Sequence, residues 1–193
     1  MIDKLYDWML KQAESKNAVY VLAFVSFIES SFFPLPPDPV LAIVVAKNKN
    51  KAFFYASLCA LASVLGGFLG YYIGYGFFEL IGTPILSFYG QVDKFNEVVV
   101  TLNKWAFWII CAKGLTPIPY KIVTIASGFA KIDLLTFGVA SAITRSFRFL
   151  ALSFICKIFG DQVLSFIEKH KKTTLILIIV SILVGFLLVK LFI

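Results

Sequence analysis

Residues 18–46, AVYVLAFVSFIESSFFPLPPDPVLAIVVA, are apolar throughout except for Glu29 and a proline-rich break at 34–39. An α-helix rises about 1.5 Å per residue and the hydrocarbon of a bilayer is about 30 Å thick. The 29 residues of this stretch are therefore too many for one straight span and too few for two spans with a turn. Pro34, Pro36, Pro37 and Pro39 each lack an amide hydrogen, which stops a helix and leaves carbonyls unpaired. Such backbone persists at membrane depth only against protein or a wet cavity. The stretch is predicted to be a re-entrant helical hairpin, and the chain an all-α integral membrane protein.

Composition agrees with that reading. Of 193 residues, 60% are hydrophobic and only 15% charged, with a mean hydropathy of +0.88; soluble domains have about 45–50% apolar residues. The charges cluster between long apolar runs. The net charge of +7 resides mainly at segment ends, where lysines meet lipid headgroups and set topology, so nucleic acid is not an expected partner. Cys59, Cys111 and Cys156 lie far apart in apolar segments with no CxxC pair, which signals neither a metal site nor a disulfide framework, and no cofactor is implied. The N-terminus has no signal-peptide core, so nothing is expected to be removed.

Outward from 18–46, residues 1–17 place Ile2, Leu5, Tyr6, Met9 and Ala13 on one face, the pattern of an amphipathic helix on a membrane surface. Residues 52–80 form a spanning helix with Gly66, Gly70 and Gly74 four apart, a stripe that favours tight helix contact and also permits a homo-oligomer. Gly82 and Pro84 mark a turn, and residues 92–104 again look interfacial. A second apolar stretch, 105–130, is broken by Lys113 and by TPIPYK at 116–121, and is read as a second re-entrant hairpin with Pro117 and Pro119 at its break. Residues 134–158 and 173–193 are two further spans, the last an anchor.

Superposing Pro34-Leu-Pro36 on Pro117-Ile-Pro119 aligns Asp38 with Lys121 and brings Glu29 within one residue of Lys113. The halves repeat in pattern and oppose in charge. Because one span separates the hairpins, the second unit is inverted relative to the first, a plan found in many transporters. The architecture expected is two opposed re-entrant hairpins in an inverted repeat, about three spanning helices, and interfacial amphipathic helices. Lysines at 4, 11, 16, 47, 49, 51, 157, 169, 171 and 172 outnumber those at 94, 104, 131 and 190 across the implied topology, a positive-inside bias.

Six ionisable residues fall within apolar segments: Glu29, Asp38, Lys113, Lys121, Arg145 and Arg148. Each would cost at least about 2.5 kcal/mol at bilayer depth unless paired or hydrated. One reading makes them structural salt bridges joining the two hairpins; snorkelling covers Lys113 and Lys121 as well. The other makes Glu29 and Asp38 proton-coupling carboxylates and Lys113, Lys121, Arg145 and Arg148 a receptor for an anionic headgroup, since guanidinium binds phosphate in a fork. Asp38 is placed to meet the exposed backbone of the break or Lys121. No GxSxG, HExxH or P-loop occurs, and the single histidine, His170, lies in the polar loop EKHKK, so no enzyme is expected.

The motifs FIESSFFPLPPDPVL at 27–41, GGFLGYYIG at 66–74 and GLTPIPYKIVTIASGF at 114–129 together resemble the bacterial DedA family, specifically a short branch with TPIPYK, and the wider VTT-domain group. The resemblance covers roughly 20–160 and assigns 18–160 to one DedA/VTT-like membrane domain. It implies two opposed re-entrant hairpins, a multi-pass protein of the bacterial cytoplasmic (inner) membrane, and movement of lipids such as undecaprenyl phosphate or phospholipid, with proton coupling. The family's acidic residues fall on Glu29 and Asp38. Its arginines of the second hairpin have no arginine counterpart here, where Lys113 and Lys121 stand with different spacing.

The function expected is therefore a lipid transporter or flippase for an anionic lipid carrier. The alternatives are a proton-coupled small-ion antiporter and a non-transporting assembly or scaffold protein.

Overall fold

The computed structural model describes residues 17–32, 36–114 and 119–169, all of whose regular structure is helical. The expected surface helix at 1–17 (apart from Asn17), Pro34, Pro117, His170 and the anchor at 173–193 lie outside the described residues.

The first broken segment forms α1 (Ala18–Ser31) and α2 (Asp38–Lys47). Pro37 and Pro39 flank the first residue of α2, the one stretch of a helix where a missing N–H costs nothing. A short 3₁₀ turn, Lys49–Lys51, leads into α3 (Ala52–Phe77). The expected turn at Gly82 and Pro84 does not form. The helix instead loosens into one π-helical turn, Phe78–Gly82, and continues as α4 (Thr83–Phe88). Pro84 sits in the first turn of α4, where the widened turn before it relieves the clash a proline makes in a regular helix. The chain reverses after α4 at Gly90, whose φ of +61° suits glycine.

Helix α5 (Val92–Gly114) joins two segments that the sequence separates at 104/105. Its polar pattern is one-sided up to Lys104 and apolar afterwards, but no breaker lies between, so the hydrogen-bond ladder continues. After the second break come α6 (Tyr120–Phe129) and α7 (Leu134–Lys169), the latter interrupted at Phe159 by non-helical angles. Two stretches, Lys49–Phe88 and Leu134–Gly160, are long and apolar enough to cross a membrane.

Helix α3 is the hub, packing on α1, α6 and α7, while α2 and α5 pack on α7. Each short second arm, α2 or α6, thus lies along the long helix of the other half. Two side-chain bonds repeat the exchange. Tyr71 of α3 donates to the Ile132 carbonyl just before α7 (2.6 Å), and Ser153 of α7 donates to the Ala52 carbonyl that begins α3 (2.7 Å). Tyr71 and Ser153 are 82 positions apart, as are the helix starts Ala52 and Leu134. This interval is one residue shorter than the 83 that relates Pro34 to Pro117.

The glycine stripe of α3 is consumed within the chain. A Cβ on Gly66 would stand 2.0 Å from the Phe27 carbonyl oxygen of α1, and one on Gly74 2.0 Å from that of Ile125 in α6. Gly128 of α6 reciprocates, its Cβ position lying 1.8 Å from the Tyr71 oxygen. Main chains touch at these points, so the stripe is a packing seam rather than a surface for a second copy.

Candidate functional site

Helices α1, α3, α6 and α7 enclose a polar interior lined by Ser26, Ser30, Ser31, Ser63, Thr124, Ser141 and Thr144, all buried. Arg145 stands among them with only 1% of its surface exposed. Its Nη2 donates to Glu29 Oε2 at 3.0 Å and its Nε to Ser63 Oγ at 2.5 Å. The guanidinium lies between the Tyr120 ring (4.4 Å to the centroid) and that of Phe149 (4.9 Å). A cation buried this deeply is tolerable only when a counter-charge, hydrogen bonds and aromatic faces replace water.

Donor and acceptor accounting orders the network. Because Arg145 Nε–H points into Ser63 Oγ, the Ser63 hydrogen is directed at Ser30 Oγ, 2.6 Å away. Ser30 then donates to the Ser26 carbonyl (3.0 Å) or to Glu29 Oε2 (3.2 Å). Glu29 is thereby approached by a cation and a hydroxyl at one oxygen. Its side chain keeps 15% exposure, so one side of the pair borders the outside.

A second pair lies further along the same faces. Arg148 Nη2 donates to Asp38 Oδ2 at 2.5 Å, with 38% and 31% of the two side chains exposed. Asp38 opens α2, where the helix dipole also favours negative charge. Arg145 and Arg148, three apart on α7, share a face and so meet consecutive acids of the first broken segment.

The charges thus pair differently from the sequence expectation. One reading of the sequence joins the two hairpins by salt bridges, and Asp38 is offered either the backbone of the break or Lys121. Both carboxylates instead reach arginines of α7, because α2 packs along α7 and carries Asp38 away from α6. Lys121 is half-buried on α6 and within electrostatic reach of Glu29, but makes no ion pair among the described residues. Lys113 is half-buried in the last turn of α5. Of the break prolines, Pro37 and Pro39 are buried at the head of α2, Pro36 is half-buried, and Pro119 is the residue preceding α6.

Sequence reasoning passed over Ser63 and Tyr120. Ser63 was one small residue in an apolar helix, and Tyr120 a letter inside a motif valued for its prolines and lysine.

Among the described residues, five buried side-chain atoms make no well-formed hydrogen bond: Ser26 Oγ, Asp38 Oδ1, Tyr120 Oη, Ser141 Oγ and Arg145 Nη1, with Ser26 in reach of Cys59 and Tyr120 of Ser141. Buried polar atoms without partners are rare, and two of the five belong to the ion-paired side chains Asp38 and Arg145.

No family model matches the chain, and no solved structure matches it. It is 30% identical over 165 residues to an uncharacterised protein of Haemophilus influenzae, covering 86% of this chain and 85% of that one. It is 36% identical over 159 residues to an uncharacterised protein of Histophilus somni, covering 82% of each. The chain belongs to the same family as these two proteins.

Proposed function

We propose that this member of the family is a multi-pass membrane protein of the DedA type that moves an anionic lipid across the bacterial cytoplasmic membrane, with two re-entrant hairpins opposed in an inverted repeat. The observation that carries the reading is Arg145, a cation at 1% exposure held in reserve by Glu29 between two helices long and apolar enough to span. Leu61, Leu65, Phe77, Phe147 and Phe154 are exposed on the outer faces of those helices, as lipid contact would favour. The reciprocal packing of α2 on α7 and α6 on α3 fits the inverted repeat.

In this reading the carboxylates and the headgroup compete for the same cations. With Glu29 and Asp38 ionised, the charges of Arg145 and Arg148 are neutralised and the site holds an anion only weakly. Protonation of either carboxylate weakens its pair by removing the counter-charge. The freed guanidinium then accepts a phosphate, while the acyl chains stay in the bilayer. Lys121 and Lys113, half-buried beside the breaks, give the headgroup further positive charge on its way. Binding and proton uptake are thereby coupled, because a carboxylate that loses its charge strengthens the hold of its arginine on the phosphate.

Proteoliposomes holding the full chain, loaded with labelled polyprenyl phosphate or phospholipid, test this directly. Translocation that accelerates with an imposed proton gradient, and fails in Glu29→Gln and Asp38→Asn, is expected. Absence of headgroup movement under every gradient would sink the proposal. Cation-driven pH changes without lipid movement would point to an ion antiporter instead, and full cellular function of both folded variants to a scaffold.

A further inference from the structure

We infer that Tyr120 Oη, Ser141 Oγ and Arg145 Nη1 form a subsite for a phosphoryl oxygen and that Tyr120 and Ser141, which carry no charge, decide which headgroup is accepted. The chemistry of the ligand follows from the geometry; its attachment to a lipid rests on the proposed function above. The three side chains are 2%, 0% and 1% exposed; Arg145 Nη1 has no partner among the described residues, and the Tyr120 and Ser141 hydroxyls lie within reach of one another and make no other bond there. Ser141 and Arg145 are one helical turn apart on α7 and share a face. Tyr120 is the first residue of α6, directly after Pro119, and its ring lies under the guanidinium with its hydroxyl beside Ser141. Gly67 of α3 leaves room for that hydroxyl, since a Cβ there would stand 3.0 Å from it.

The remaining donors of Arg145 narrow the ligand. Nε and Nη2, the edge that would grip a carboxylate with two parallel bonds, are occupied by Ser63 and Glu29. What is left is the end of the guanidinium at Nη1 together with two hydroxyls carried by different helices. Donors arriving from separate directions suit a tetrahedral group with several terminal oxygens better than a planar carboxylate. A positively charged headgroup is excluded by Arg145 itself. The shared chemistry is a phosphoryl group, presented either by a lipid or as free phosphate.

The test uses the full chain in a phosphate-free maltoside detergent. Its probes are a fluorescent polyprenyl phosphate, the matching polyprenyl alcohol, a fatty acid and inorganic phosphate. Tyr120→Phe keeps the ring over Arg145 and removes only the oxygen; Ser141→Ala is the independent second variant. Each is expected to weaken polyprenyl phosphate binding about tenfold, the loss typical of one hydrogen bond to a charged group. Alcohol and fatty-acid binding should be unchanged, as should the thermal melt. Inorganic phosphate that binds the native chain as tightly as the lipid, with the same dependence on both hydroxyls, supports the subsite while removing the lipid reading. Polyprenyl phosphate bound equally by native and variant chains overturns the subsite and leaves lipid transport standing, with the hydroxyls serving internal water. Equal weakening of the alcohol, or no phosphate binding by the native chain, overturns it as well.

Discussion

Both proline-broken segments bury apolar faces, and they differ in the contacts that accompany that burial. In the first, Glu29 of α1 and Asp38 of α2 are bound to Arg145 and Arg148 of α7 by charge. In the second, α6 is seated on α3 by main-chain contact, with Gly74 against the Ile125 carbonyl and Gly128 against that of Tyr71. Helix α1 shares the second mode at Gly66, so the contrast is sharpest between α2 and α6. A glycine seam has a single register, because a shift of an ångström brings atoms into collision or opens a void. An ion pair can be exchanged for another when a proton or a phosphate arrives. In the proposed transport cycle the second segment is therefore the platform, and the ionic face of the first is the part that responds.

The largest expected effect comes from removing the buried counter-charge. Glu29→Leu strands Arg145 in the interior and should destabilise the protein by about 3–5 kcal/mol, read as a lowered midpoint of thermal unfolding in detergent. Adding Arg145→Met should recover most of that loss while transport stays absent, separating the pair's structural role from its functional one. If the double variant transports, charge is not what the first segment contributes. Next in size is the seam: Gly74→Ala and Gly128→Ala should each cost about 1–3 kcal/mol by overpacking, although neither touches a charge. Tolerance of both would show that α6 is not a fixed platform.

A smaller effect is expected for the outer pair. Asp38→Asn should change stability by no more than about 1 kcal/mol, because both partners are about a third exposed and solvent screens them. It should nevertheless lower transport. The inner and outer pairs would then be distinguished by the ratio of stability loss to activity loss. The smallest effect belongs to Asp133 in the turn before α7, where Oδ2 accepts from the Thr136 backbone N–H and hydroxyl, both at 2.8 Å. These bonds, the backbone one first, hold its carboxyl below the usual range. A carboxyl depressed by folding adds stability above its unfolded pKa, near 3.9, and loses it as pH falls through the lower folded value. Asp133→Asn should therefore flatten the acid limb of the stability profile slightly and leave the neutral region almost unchanged.

Much of the helical layout was legible in the chain. Prolines at 34–39 and 117–119 told of two breaks, and helices end and restart around the described parts of both. The turn expected at Gly82 and Pro84 failed for a physical reason. A proline in the first turn of a helix loses no bond, and one widened turn let the chain continue. The division at 104/105 failed because a change from amphipathic to apolar pattern does not break a hydrogen-bond ladder. Of the site, the six ionisable residues stood out through their cost in an apolar setting, whereas Ser63, Tyr120 and Ser141 cost little and so gave no signal.

The sequence by itself determined where helices break, where backbones approach closely, and which charges need an explanation. Those are local matters of missing amide hydrogens, absent Cβ atoms and solvation. Only the tertiary structure decided the partners. Glu29 and Arg145 are 116 positions apart, and nothing in either neighbourhood chooses between Arg145 and the nearer Lys121. The choice was made by α2 packing along α7 and by α1 packing on α3, which itself packs on α7, because burying the apolar faces of whole helices outweighs the preference of any one charge.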